Sequence, residues 1–276
     1  MTGQTSYLSN NRFEPAARKG FVRRRPILLV FLIFGALGLA FAGYVTYLTV
    51  SLPSVEYLWS TDPDPTSLMR LRADEARAEG KEPKHTQYWV PLDRISERVV
   101  QAVRMGEDAA FFTHSGFDFY EIKESVLRNL ERGEFARGAS TITQQLAKNV
   151  FLSTEKSLNR KLKEAILTYR LEQALSKNRI LEIYLNVIEW GDGIYGIEAA
   201  SRTYFGKSAA YLNPAEAAFL AAMIPNPRRL NPATRYKTIK ASQERILGWM
   251  ARANFLSEEE LDAAKTQELR LRVGPT

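Results

Sequence analysis

From Ile27 to Val50 the chain reads ILLVFLIFGALGLAFAGYVTYLTV, twenty-four residues without a charge. A helix of that length rises about 36 Å, enough to cross the roughly 30 Å hydrocarbon core of a bilayer. Between Ser51 and Gln87 the pattern turns polar, with Asp62-Pro63-Asp64-Pro65 and the charged run RADEARAEGKEPK, the composition of a juxtamembrane stalk or mobile lip. From Tyr88 onward apolar positions recur at helical spacing. Ile95, Val99, Val100 and Val103 make a stripe that ends at Glu107, and Leu158, Leu162, Ile166 and Tyr169 predict a second stripe on a longer helix. Asn213-Pro214-Ala215-Glu216 supplies an N-cap, a proline at the first helical position and a reciprocating acid; Ser257-Glu258-Glu259-Glu260 opens another helix by the same logic. A short extended piece at Tyr88–Leu92 is the main strand candidate. The pattern predicts a mainly α protein with a tail over 1–26, a transmembrane helix over 27–50, a stalk over 51–87 and a helical domain over 88–276.

Charge changes the picture at one end only. Residues 1–25 carry six Lys or Arg against one Glu, so five units of the formal net charge of +7 lie before the apolar run and two in the remainder. Arg18, Lys19, Arg23, Arg24 and Arg25 beside the span predict a cytoplasmic amino terminus and an extracytoplasmic domain. That places the chain in the inner membrane with its domain in the periplasm. A cleaved signal peptide fits less well, since its apolar region runs to about 7–15 residues and Tyr44-Val45-Thr46-Tyr47 offers no small-residue cleavage site. The basic excess is no nucleic-acid signature, because it sits in a tail facing anionic lipid rather than on a folded face. There is no Cys, which removes thiolate nucleophiles and Cys-based metal sites. His85 and His114 are too few for a His-rich zinc centre, so a metal, if used, would be oxygen-ligated and carried with phosphate.

The chemistry concentrates in two segments, Glu107-Asp108-Ala109-Ala110-Phe111-Phe112-Thr113-His114-Ser115-Gly116 and Gly138-Ala139-Ser140-Thr141-Ile142-Thr143-Gln144-Gln145-Leu146-Ala147-Lys148-Asn149. A carboxylate pair beside an aromatic and a histidine, then hydroxyls, amides and an ammonium group, suits sugar hydroxyls and an anionic leaving group. Glu107 is the candidate general base, ending an apolar helix beside Phe111 and Phe112, where loss of water raises a carboxyl pKa; its spacing suits a solvent-facing acid at a helix end at least as well. Thr141, Gln144 or Gln145, and Lys148 recur every three or four residues and share one helical face. Arg160 and Lys161 stand four and three residues before Glu164, a spacing equally suited to a surface ion pair. In Lys177–Asn186, residues Ile180, Leu181, Tyr184 and Leu185 read as core. Gly191-Asp192-Gly193-Ile194-Tyr195-Gly196 satisfies G-x-G-x-x-G, but a helical run precedes it where a dinucleotide site needs a strand. Ser153-Thr154-Glu155-Lys156 mimics a transpeptidase S-x-x-K without its companion triplets.

These segments, in order over roughly Pro91–Pro232, resemble the peptidoglycan glycosyltransferases of family fifty-one, and Trp190–Ala200 resembles its monofunctional branch. The resemblance implies a lysozyme-like helical fold. It also implies that Glu107 and Glu164 are the two catalytic carboxylates, with Asp108 supporting the loop and His114 holding backbone. Ser140, Thr141, Gln144, Lys148 and Asn149 become donor-site candidates, with Lys148, Arg160 and Lys161 neutralising diphosphate. The implied reaction joins lipid II to a lipid-linked nascent glycan as a β-1,4 linkage, releasing undecaprenyl diphosphate, in cell-wall biogenesis. No cofactor is required, though a divalent cation, Mg or Mn, could accompany the diphosphate. Membrane lipids and the division or elongation machinery are the expected partners. Two other classes stay open at this point. A lytic transglycosylase would share the fold but not need the cations of Lys148, Arg160 and Lys161, and a membrane scaffold would have no reason to keep both glutamates.

Overall fold

The computed structural model describes residues 25–132, 140–155 and 157–272. The basic tail before Arg25 lies outside them, as do Gly138, Ala139 and Lys156. The chain divides into two units, one ending at Ser51 and one beginning at Leu52. The first contains helix α1 (Arg25–Ser51), whose stretch Ile27–Ser51 has a mean hydropathy of 2.4 and is long and apolar enough to cross a membrane.

The second unit is built from helices. They are α2 (Ser67–Ala78), α3 (Glu97–Glu107), α4 (Phe119–Arg132), α5 (Ile142–Phe151), α6 (Leu158–Ala174), α7 (Lys177–Val187), α8 (Ile197–Phe205), α9 (Pro214–Ala221), α10 (Pro232–Arg252) and α11 (Glu258–Thr266). Their starts follow the chemistry written in the sequence. Asn213 and Glu216 cap α9 reciprocally with Pro214 inside the first turn, and Ser257 and Glu260 do the same for α11. Helix α9 is the centre of the core: Ala215 to Ala221 are all buried, and α3 and α10 pack on it. Its small residues let those helices approach closely. A second group forms where α5 packs against α2, α6 and α7.

A small sheet joins β1 (Thr86–Gln87), β2 (Glu189–Gly191) and β3 (Ile194–Tyr195) in the order β1-β3-β2. The extended piece thus lies just before Tyr88. Strand β1 runs parallel to β3, with Thr86 opposite Ile194, and β2 runs antiparallel to it. The three glycines of Gly191–Gly196 serve this turn. Gly196 has φ +80°, and a Cβ there would stand 2.6 Å from the carbonyl oxygen of Asn186. Asn186, fully buried, accepts from the Val90 N–H and donates to the carbonyls of Val90 and Glu182, pinning the chain before α3 onto α7. Within Lys177–Asn186, residues Ile180, Leu181, Tyr184 and Leu185 are core, as their apolar spacing predicts.

Two further expectations differ from the structure. Residues 51–87, expected as a stalk, carry α2 and bury Val55, Leu58 and Met69 in the core, while α2 packs on α5. Their polar composition reflects a covering layer of which only one side is buried. On α6 the stripe expected to pack is not the buried face: Leu158 is 91% exposed and Tyr169 60%, while Leu162 and Ile166 are half-buried. The buried face is Glu164, Leu167, Thr168 and Leu171, where α5 docks.

Replacing Gly196 by Ala is expected to lower the unfolding free energy by about 1–3 kcal/mol, since an L side chain there combines a disfavoured φ with a backbone clash. Urea denaturation of the detergent-solubilised protein measures this; an unchanged midpoint would mean that the turn accommodates a side chain.

Candidate active site

Helix α3 delivers Glu107 as its last residue, and the next residue turns the chain. Asp108 is buried, and its two carboxylate oxygens lie 2.9 and 3.1 Å from Nε2 of His114. The Ile142 N–H also donates to Asp108 Oδ2, at 3.0 Å. His114 Nδ1 accepts from the Gly116 N–H at 3.1 Å, and the Gly116 carbonyl accepts from Thr141 Oγ1 at 2.7 Å. A ring nitrogen that accepts an N–H carries no proton, so Nε2 is the protonated one and donates to Asp108. The loop 108–116 is thereby tied at both ends to the start of α5. Gly116 closes it: φ is +87°, and a Cβ would stand 2.8 Å from Thr168 Cγ2. Phe111, fully buried, anchors the loop from beneath, with the Lys177 ammonium 4.5 Å from its ring centre. Asp108 and His114 hold backbone, as expected of them.

Helix α5 shows which glutamine does what. Thr141 caps the helix by accepting from the Gln144 N–H, and Gln144 Oε1 accepts in return from the Thr141 N–H. Gln144, chosen as a donor-site candidate, is therefore a buried capping residue. Gln145 takes the place at the site: its Nε2 donates to Glu107 Oε2 at 2.8 Å, and its Oε1 accepts from the Tyr184 hydroxyl at 3.0 Å. One more turn along stands Lys148. Ser140 is exposed before the cap, and Asn149, one residue beyond Lys148 and so about 100° further round the helix, is buried.

Helix α6 adds the second carboxylate. Glu164 is 3% exposed; Arg160 Nη1 reaches its Oε2 at 2.6 Å and the Lys161 ammonium pairs with Oε1. The three groups form one cluster rather than a loose surface pair. Lys148 connects the two acids, for it feels both Glu164 and Glu107 electrostatically. Burial pushes its pKa down, with Glu164 acting against that shift. Glu107 behaves oppositely: burial pushes its carboxyl up to about 7, against the opposing hydrogen bond from Gln145 and the charge of Lys148.

A cavity of about 820 Å³ opens beside these groups, lined among others by Glu107, Ser140, Thr141, Trp249 and Arg252. Trp249 and Arg252 come from α10, where the sequence offered no motif. Lys148, Arg160, Lys161 and Glu164 are not among its lining residues. Asp108, His114 and Asp118 have ligand-type atoms within 4.8 Å of one another. They do not fit a cation as arranged: Asp108 and both His114 nitrogens are engaged as described, and Asp118 Oδ1 accepts from the Glu121 N–H.

Comparison with known proteins follows the same lines. The family model described as Transglycosylase matches residues 75–251. A biosynthetic peptidoglycan transglycosylase of Azoarcus sp. (strain BH72) is 47% identical over 194 residues, covering 70% of this chain and 84% of that protein. One from Thiobacillus denitrificans (strain ATCC 25259 / T1) is 51% identical over 173 residues, covering 62% and 75%. The crystal structure of penicillin-binding protein 1A from Haemophilus influenzae aligns with 68% of this chain and 18% of its own, at 22% identity and a TM-score of 0.41, too distant to argue from.

The burial of Glu107 has a stability signature. Its folded pKa of about 7 exceeds the ordinary 4.5, so the fold binds this proton more tightly than the unfolded chain does. The associated stabilisation is complete below about pH 4.5 and is lost as pH rises to about 7. Above pH 7 the ionised group costs the fold about 3 kcal/mol. Glu107→Gln is therefore expected to melt progressively above wild type as pH increases from about 5 to about 8. Melting curves across that range check it, and a constant difference would mean that the carboxyl is well hydrated.

Proposed function

The chain belongs to the transglycosylase family, as a peptidoglycan glycosyltransferase of cell-wall synthesis, and from that premise we propose that it polymerises lipid II into β-1,4 glycan with release of undecaprenyl diphosphate. The observation that carries the detailed reading is Glu107: a carboxyl with a pKa near neutrality on a cavity wall, linked through Lys148 to a second acid held by two cations. A base that must both take and later release a proton works best near the ambient pH.

In this reading Glu107 removes the proton from the 4-hydroxyl of the acceptor sugar. That oxygen attacks the anomeric carbon of the lipid-linked donor, the bond from that carbon to the phosphate oxygen breaks, and the electron pair leaves on the diphosphate. A single displacement inverts the centre, turning an α-linked diphosphate into a β linkage. Lys148, Arg160 and Lys161 supply the positive charge that the departing diphosphate needs, and Glu164 holds the last two in position until it arrives. Ser140, exposed on the cavity wall, would meet the donor sugar, and Thr141 shapes that wall as the cap of α5. A divalent cation, Mg or Mn, would add positive charge to the departing diphosphate. The cationic cluster favours a lipid diphosphate over a finished glycan as substrate, which separates this reading from a lytic enzyme.

The stretch Ile27–Ser51 supports a single-pass anchor. With the basic residues before it, the anchor orients the catalytic unit to the periplasmic face of the inner membrane. Lipid II and the growing strand are held at that same surface, and tethering raises their encounter rate.

Glu107→Gln is expected to lose lipid II polymerisation by at least about a thousandfold. Glu164→Gln should lose less, because the cations it holds remain. The assay is full-length protein with lipid II in detergent, read as polymer and undecaprenyl diphosphate; activity within about tenfold of wild type would remove Glu107 from the mechanism. Protein lacking residues 1–50 should keep its turnover in detergent but need more lipid II for half-saturation in vesicles. Equal half-saturation would make the helix an address only.

A further inference from the structure

Tyr184 reads as a core residue from its sequence, and its ring is fully buried on α7. Its hydroxyl nevertheless points at the site. It lies 3.0 Å from Gln145 Oε1, and Gln145 Nε2 lies 2.8 Å from Glu107 Oε2, so one chain of hydrogen bonds runs from α7 through α5 to the end of α3. We propose that Tyr184 is a positioning residue for glycosyl transfer: by donating its proton to Gln145 Oε1, it fixes which end of that amide faces Glu107. The proposal rests on the reading of Glu107 as the base.

The two ends of a glutamine amide are opposite in function, one accepting only and the other donating only. With Oε1 committed to Tyr184, Gln145 can present only an N–H to Glu107, and an N–H favours the ionised carboxylate. Turned over, the amide would set its carbonyl oxygen against the carboxyl, an arrangement that is stable only while Glu107 keeps a proton. Burial already pushes Glu107 toward the protonated form, which cannot act as a base. The Tyr184 link opposes that push. The charged groups facing Glu107 are Lys148, which favours ionisation, and Asp108, which opposes it, and both stay in place when Tyr184 is changed. The Tyr184 hydroxyl keeps its proton throughout, since burial, followed by the charges of Glu107 and Asp108, raises its pKa well above that of an ordinary tyrosine. A tyrosine that merely filled space would be replaced by phenylalanine without consequence for proton transfer.

The test is the pH dependence of kcat/KM for full-length protein on lipid II in detergent. Wild type should show an acidic limb with its midpoint near 7, absent from any residual activity of Glu107→Gln. Tyr184→Phe should move that limb up by roughly one pH unit, giving about tenfold lower activity at pH 6 and a plateau at high pH within about threefold of wild type. Gln145→Leu, which tests the same link from its other end, should shift the limb in the same direction. Adding Tyr184→Phe to it should cause no further shift, because Tyr184 acts only through Gln145. A limb unmoved in either single variant overturns the positioning role and leaves Glu107 as base untouched. A wild-type profile without a limb near neutrality, or one that survives in Glu107→Gln, overturns the base reading and the link with it.

Discussion

The site depends on holding one acid half out of water at the point where a helix ends. Glu107 can titrate near neutrality only because α3 carries it into the interior, and α3 is held there by α9 and α10. Burying a carboxyl is costly, and the fold confines that cost to one atom group by giving its neighbour every partner it needs. Asp108, one residue on, has the backbone N–H of Ile142 and the imidazole of His114. Two adjacent acids thus take opposite parts, one locking the loop and the other left with a single neutral donor.

The second carboxylate illustrates the same division by different means. Glu164 is as buried as a core leucine, yet Arg160 and Lys161 are both committed to it. It is directly paired to two cations, whereas Glu107 has one neutral donor with Lys148 and Asp108 acting only through their charges, which suits Glu107 to proton transfer and Glu164 to holding charge. Lys148 stands between them and feels both. This ammonium is itself disfavoured by burial, and in the proposed reaction a diphosphate bound beside it would offset that cost. Glu107 and Lys148, the proposed base and a proposed contact for the diphosphate, are both groups whose charge the fold disfavours.

Much was legible in the chain itself. The apolar span, the capping boxes at Asn213 and Ser257, the helical class and the order of the acidic and polar segments are local signals, carried by residues a turn or less apart. The T-x-x-Q pattern of a capping box was also present at Thr141, and it assigns Gln144 to the helix end and leaves Gln145 for the site. Helical spacing alone gives either glutamine a place on the face that includes Lys148, and only the reciprocal bonds with Thr141 distinguish them.

What tertiary structure alone decided is which face of each element meets which neighbour. Helix α6 has apolar residues on more than one side, and against α5 it turns Glu164 and Thr168 inward and Leu158 outward, with polar partners that α6 itself supplies. Residues 51–87 look like a stalk until α2 is seen lying on α5. Trp249 and Arg252 join the cavity from a helix more than a hundred residues beyond Glu107, and Tyr184 reaches Gln145 across a helix interface. Periodicity records that a helix has a buried side, but the identity of the partner depends on contacts between residues far apart in sequence, which no local pattern encodes.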